Sequence, residues 1–132
     1  VDMDGNTALM LAAIKGNNKI AKTLIDAGAN VNKTNKYNKS VLHFAAEHGN
    51  EDLVNVVIEI DLKDVDQVDM DGNTALMLAA KNGNNKIVKA LIEAGADVNK
   101  TNKYNKSAID LARDYSNSYT VGILHKAGAV DN

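Results

Sequence analysis

The thirteen residues VDMDGNTALMLAA that open the chain return at residue 68. The echo persists beyond them. Residues 1–40 and 68–107 align without a gap and differ only at Ile14/Lys81, Lys15/Asn82, Ala21/Val88, Thr23/Ala90, Asp26/Glu93 and Asn30/Asp97. A self-similar chain of this kind folds as an array of like units. A shorter, weaker period lies inside the long one. NTALMLAA begins at Asn6 and Asn73, KSVLHFAA at Lys39 and KSAIDLAR at Lys106, and the hydroxyl residues Thr7, Ser40, Thr74 and Ser107 stand 33, 34 and 33 residues apart. The spacing predicts one domain over 1–132, built of four units of approximately 1–33, 34–67, 68–100 and 101–132.

Each unit has a legible local design. After Thr7 comes ALMLAA, a run of good helix formers behind a hydroxyl N-cap. Gly16, Gly49 and Gly83 follow, where a left-handed residue stops a helix. A second helix reads NKIAKTLIDAG, with Ile20, Leu24 and Ile25 on one stripe and Gly28 or Gly95 at its end. Loops rich in Asn, Asp and Gly then predict hairpins. Two short helices cannot bury their apolar faces alone, but stacked pairs can. The paired alanines Ala12–Ala13, Ala45–Ala46 and Ala79–Ala80 allow neighbouring helices close approach. The expected fold is all-α: a solenoid of helix–turn–helix units with projecting hairpin loops.

The runs DGNTALMLAAIKGNNKIAKTLIDAGANVN and DGNTALMLAAKNGNNKIVKALIEAGADVN resemble ankyrin repeats, and the resemblance covers essentially the whole chain. It implies L-shaped units and a concave surface formed by hairpin tips and first helices, used to bind a partner protein or peptide. Departures are local. Ala8, Val41, Ala75 and Ala108 stand where the family usually has Pro after the cap, and the chain contains no Pro. The family's first-helix His survives only as His43; Met10, Met77 and Asp110 replace it, and Asp110 sits at capping-box spacing from Ser107. The second unit lacks the Gly-Ala turn, so an irregular helix end is expected near Asp61–Asp64. Ser116 replaces a turn Gly in the polar fourth unit, which fits a terminal unit. The first unit nearly copies the internal third one, so its outward face is expected to expose apolar surface.

Catalytic chemistry finds no foothold. The chain has no Cys, hence no thiolate nucleophile and no zinc–thiolate site. His43 and His48 are five residues apart, about 140° around a helix, and do not share a metal. The resemblance gives His43 a structural place beside Ser40, and His125 is expected to be exposed. The acidic stretch DLKDVDQVDMDG lacks the Glu of a calcium loop, and neither GxGxxG nor GxxxxGK[ST] occurs. Lys22 with Asp26, and Lys89 with Glu93, are solubilising i, i+4 pairs. A net charge of −2, with 45% hydrophobic and 24% charged residues, fits a globular chain without a basic nucleic-acid face. No apolar run approaches the ~18 residues of a membrane span. No secretory signal is present, so a cytoplasmic setting is expected. The chain begins in mid-pattern without Met, as an excised piece would. Its 14 Lys against 1 Arg, with 18 Asn, read as codon bias.

The resemblance therefore places partner contacts, without enzyme activity, metal or cofactor, on hairpin tips and first-helix ends. Unit one offers Met3, Asp4, Asn6, Ile14 and Lys15; unit two Lys36, Tyr37, Lys39, Glu47 and His48. Unit three offers Met70, Asp71, Asn73, Lys81 and Asn82; unit four Lys103, Tyr104, Lys106, Asp114 and Tyr115. Tips alternate Met-Asp with Lys-Tyr, and Tyr is enriched among interface hot spots. Tyr37 and Tyr104 are read either as anchors or as side chains lying over their own hairpins. Two alternatives to partner binding remain: a segment of a longer array or a self-associating unit working through the uncapped first face, and an accessory recognition domain of a larger protein.

Overall fold

The computed structural model describes residues 1–60 and 64–130. Its helices are α1 (Ala8–Lys15), α2 (Asn18–Asp26), α3 (Val41–Glu47), α4 (Glu51–Glu59), α5 (Ala75–Lys81), α6 (Asn85–Glu93), α7 (Ala108–Asp114) and α8 (Ser118–Lys126). Each is seven to nine residues long, too short to be stable alone. They are held by packing in two rows, α1–α3–α5–α7 and α2–α4–α6–α8, with each odd helix also packed on the even helix that follows it. The alanine pairs sit where the rows meet, and all six are buried. Between them lie Leu53, Leu76, Ile87, Leu91, Ile109 and Leu124, also buried.

The turn within each pair is fixed by one left-handed residue. Gly16, Gly49 and Gly83 have φ of 71°, 69° and 68°. The next N–H then reaches back five residues: Asn17 to Ala12 O at 2.9 Å, Asn50 to Ala45 O at 2.8 Å and Asn84 to Ala79 O at 3.0 Å. In the fourth unit Ser116 takes the same conformation, φ 59°, without glycine's freedom. The second helices then start on Asn, and in the first two units its side chain caps them: Asn17 Oδ1 accepts from Ile20 N–H and Asn50 Oδ1 from Leu53 N–H, both at 3.3 Å.

Helix α4 ends differently from α2, α6 and α8. No left-handed glycine closes it, and Ile60 leaves the helix at φ −87°, ψ −115°. Of the expected irregular stretch Asp61–Asp64, residues 61–63 lie outside the described residues. The loops that project from the pairs are tight turns, with no β-strand among the described residues. Each carries one hairpin-like bond: Asp2 N–H to Asn6 O, Asn35 to Lys39 O, Asp69 to Asn73 O, and Asn102 to Lys106 O, at 2.9–3.2 Å. Successive tips touch through single backbone bonds, Lys36 N–H to Asp4 O, Met70 N–H to Tyr37 O and Lys103 N–H to Asp71 O. One backbone bond per junction joins the tips without making a ladder.

Candidate partner-binding face

The tips are held from within by acid and amide side chains. Asp2 Oδ1 accepts the N–H groups of Asp4 and Asn6; Asn35 Oδ1 those of Tyr37 and Lys39; Asp69 Oδ1 those of Asp71 and Asn73; Asn102 Oδ1 those of Tyr104 and Lys106. All eight distances lie at 2.9–3.0 Å. The oxygen thus satisfies donors two and four residues ahead, which fixes each turn. The residue type alternates for a reason. Asn35 also donates through Nδ2 to Asn6 Oδ1 at 2.8 Å, and Asn102 to Asn73 Oδ1 at 2.9 Å. Only an amide supplies both functions. Asp2 and Asp69 have no donor to give, and Lys39, the residue matching Asn6 in the second unit, has no acceptor to offer Asp69.

The second-to-third junction uses other means. Buried His43 accepts the Ser40 N–H on Nδ1 at 3.1 Å, and its Nε2 donates across to Asn73 O at 3.0 Å. This arrangement selects the neutral ring with its proton on Nε2. Burial, only partly opposed by the Asn73 carbonyl and the Asp69 charge, holds the His43 pKa below its ordinary value. In units one and three, Met10 and Met77 keep half of this role: their sulfurs accept the Thr7 and Thr74 N–H groups at 3.4 Å. Asp110 does the same for Ser107 with a carboxylate, at 3.0 Å.

Several residues expected on the binding face are brought together. Lys36 Nζ lies 2.9 Å from Asp4 of the preceding tip and 5.0 Å from the centre of the Tyr37 ring. The bond to Asp4, then that to Tyr37, raises the Lys36 pKa. Lys39 pairs with Glu47 at 3.3 Å and Lys106 with Asp114 at 3.0 Å, the same tip-to-helix contact two units apart. Lys81 Nζ sits 5.3 Å from the Tyr115 ring centre, and Asn82 donates to Glu47 O at 2.8 Å. These groups form a row from unit to unit. Met3, Lys15, His48, Met70, Asp71 and Lys103 are exposed along it, and Ile14 is half-buried.

Two expected contact residues face inward instead. Asn6 is buried, and its amide bonds Asp2 and Asn35. Asn73 is half-buried and is engaged by His43 and Asn102. In a single unit both look like open tip positions; the neighbouring unit covers them. The tyrosines stay accessible, Tyr37 at 45% and Tyr104 at 68% exposure. Tyr37, Lys39, Asp69, Met70 and Asp71 line a shallow groove between the second and third tips. Among the described residues no group of three or more His, Asp or Glu side chains is placed to hold a metal ion, and no helix is long and apolar enough to cross a membrane.

Known proteins share this pattern. The family model for ankyrin repeats in three copies matches residues 1–67 and again 42–131. A transient receptor potential cation channel subfamily A member 1 homolog of Caenorhabditis elegans is 33% identical over 129 residues, 98% of this chain and 11% of that protein. Neurogenic locus notch homolog protein 2 of Homo sapiens is 34% identical over 128 residues, and notch homolog protein 1 of Xenopus tropicalis 33%. In each of these two the match spans 97% of this chain and 5% of the relative. The chain thus corresponds to about a tenth or less of the length of these relatives.

Proposed function

The chain belongs to the ankyrin-repeat family, and from that premise we propose that it is a non-catalytic module that binds a protein or peptide along its tip and first-helix surface. Members of the family generally serve protein–protein interaction. We read the chain as one domain of four repeats, each made of a tip and a helix pair, working in an intracellular setting. The ligand is an extended polypeptide segment lying across the tips, with Tyr37 and Tyr104 as its anchors.

The observation that carries this reading is the exposure of two aromatic rings on turns whose backbones are fixed by four hydrogen bonds to two side-chain oxygens, Asn35 Oδ1 and Asn102 Oδ1. A rigid platform does not have to be ordered on binding, and Tyr adds contact area at low entropic cost. The mixed charges beside the rings, Asp4, Lys36, Lys39, Glu47, Lys106 and Asp114, favour a polypeptide of mixed charge over a polyanion. Selection from a random-peptide library tests the proposal. Peptides captured by the chain are expected to lose at least tenfold in affinity for Tyr37→Ala/Tyr104→Ala, with an unchanged helical circular dichroism spectrum. Peptides that bind both chains equally overturn the anchor assignment.

A further inference from the structure

The four even-numbered helices have equal length, so their exposed sides compare place by place. At the second position α2, α4 and α6 carry Lys19, Asp52 and Lys86; at the fifth, Lys22, Asn55 and Lys89; at the last, Asp26, Glu59 and Glu93. All nine are exposed, an ordinary solvated surface. Helix α8 departs at all three places, with Tyr119, Gly122 and Lys126, also exposed. A ring, a gap and a reversed charge thus stand where packing makes no demand. Together with half-buried Ile123 they fall at i, i+3, i+4 and i+7, on one side of the helix.

Gly122 is the informative member. It lies inside α8 and is absent from the left-handed residues of the chain. A Cβ there would meet nothing beyond its chain neighbours and its own helix backbone. Glycine inside a helix is less stable than alanine or lysine, so neither backbone conformation nor packing accounts for it. What the missing side chain leaves is room. Gly122, Tyr119, Ile123 and Lys126 of α8 and Lys89 of α6 line a groove of about 400 Å3. Tyr119 is 67% exposed, and Lys89 Nζ lies 5.7 Å from its ring centre. Lys89 therefore turns to the ring and not to Glu93, the helical partner expected for it. Among the described residues neither Lys89 nor Lys126 is in an ion pair.

We propose that this groove between α6 and α8 is a second binding site, for a short acidic polypeptide segment that carries an apolar side chain. The apolar side chain enters over Gly122, between Tyr119 and Ile123, and carboxylates on either side of it meet Lys89 and Lys126. Charge selects this occupant. Two cations without ion-pair partners flank an apolar floor, which complements an acidic ligand. Farther along the row Asp26, Asp52 and Glu59 interrupt the lysines, so a long polyanion or a flat anionic membrane would meet carboxylates as well. A short segment seated on α6 and α8 does not reach them. The groove belongs to the even-numbered row and shares no residue with the tips, so the two surfaces can be occupied independently.

The test selects random peptides on the full chain carrying Tyr37→Ala/Tyr104→Ala, so that its outcome does not depend on the tip surface. The captured peptides are expected to place an apolar residue among acids and to shift the Gly122 amide resonance saturably in NMR titrations. Gly122→Lys restores the residue of α2 and α6, and Lys126→Glu restores the acid of α4 and α6, so both variants are expected to fold. Each is expected to weaken the captured peptides about tenfold or more. Gly122→Lys is also expected to raise the urea midpoint, which separates loss of binding from loss of fold. A selection that yields no acidic peptides, or peptides whose affinity survives both substitutions, overturns the proposal. So does a groove that takes polyphosphate or phosphatidylserine vesicles in place of acidic peptides, because the occupant is then a polyanion or a membrane.

Discussion

Replacing His43 by Met grafts the solution of units one and three onto unit two, and the structure predicts a pH-dependent outcome. The Met sulfur is expected to accept the Ser40 N–H, as Met10 and Met77 accept theirs. What disappears outright is the Nε2–H bond to Asn73 O across the junction, since the sulfur is also expected to receive the Ser40 hydroxyl that contacts Nδ1 at 3.1 Å. That carbonyl keeps the Asp69 N–H at 3.0 Å, so it is not orphaned. The loss is therefore that of one net hydrogen bond, about 1 kcal/mol at pH 7.5, or roughly 2–5 °C in Tm for a chain of this size. The proton linkage runs the other way. The folded-state pKa of His43 lies below the unfolded value near ~6.5, so unfolding takes up a proton in the window beneath that value. Wild-type stability is full above pH 6.5 and falls as the pH drops toward the folded-state pKa, by up to about 1.4 kcal/mol per pH unit. The Met variant has no such term. Urea midpoints followed by circular dichroism at pH 7.5, 6.5 and 5.5 are thus expected to show the variant behind at the top and level or ahead at the bottom. Stopping at pH 5.5 avoids the window of Asp2. Its pKa is lowered chiefly by the Asn6 N–H bond, so its contribution is lost only as the pH falls below the ordinary carboxylate range. A gap between the two proteins that stays constant with pH refutes the neutral, Nε2-protonated assignment.

Two backbone predictions follow from the turns. Ser116→Gly removes a left-handed conformation held at φ 59° by a residue with a side chain, and is expected to stabilise by about 0.5–1 kcal/mol after glycine's entropy cost is subtracted; a lower melting temperature contradicts the reading. Gly72→Ala places a Cβ 3.0 Å from Lys103 N and 3.2 Å from Asn102 Cα at φ +78°, and is expected to cost about 2 kcal/mol or more. The loss should be accompanied by selective loss of amide protection at Lys103, whose N–H bonds Asp71 O.

The sequence carried the helices well because their boundaries are set by local chemistry. A hydroxyl before ALMLAA and a glycine after it act within one turn of the chain, and each helix starts and stops at them. The place of His43 beside Ser40 was legible through the resemblance to the ankyrin repeat, and the Ser40 N–H bond to its Nδ1 agrees with it. What was not legible acts between units. Asn6 looks like an exposed tip residue until Asn35, 29 positions away, is placed against it. The abundance of Asn, read as codon bias, also turns out to have physical employment. Asn17 and Asn50 cap helices, Asn82 and Asn117 donate to carbonyls of preceding units, and Asn35 and Asn102 both close their own turns and bond the tip before. A tip-opening residue that alternates Asp, Asn, Asp, Asn was the available signal. Its meaning required knowing which residue lies opposite.

That alternation bears on how the 67-residue echo is interpreted. An amide at position 35 needs the acceptor at position 6, and the aspartates at 2 and 69 need no partner beyond their own turns, so a single unit does not contain a complete junction. The smallest piece that carries its own Asn–Asn junction is two units long, which is the length of the duplicated piece. The two-unit period in Asp and Asn is therefore structural and says nothing about a ligand. The period in Met3, Tyr37, Met70 and Tyr104 is of another kind. The turns engage Tyr37, Met70 and Tyr104 through backbone atoms; the side chains of Met3, Met70 and Tyr104 are more than half exposed, and that of Tyr37, 45% exposed, lies beside the Lys36 ammonium. Folding accounts for the amides that hold each tip but not for the exposed rings, so the anchor assignment rests on the tyrosines and not on the two-unit period.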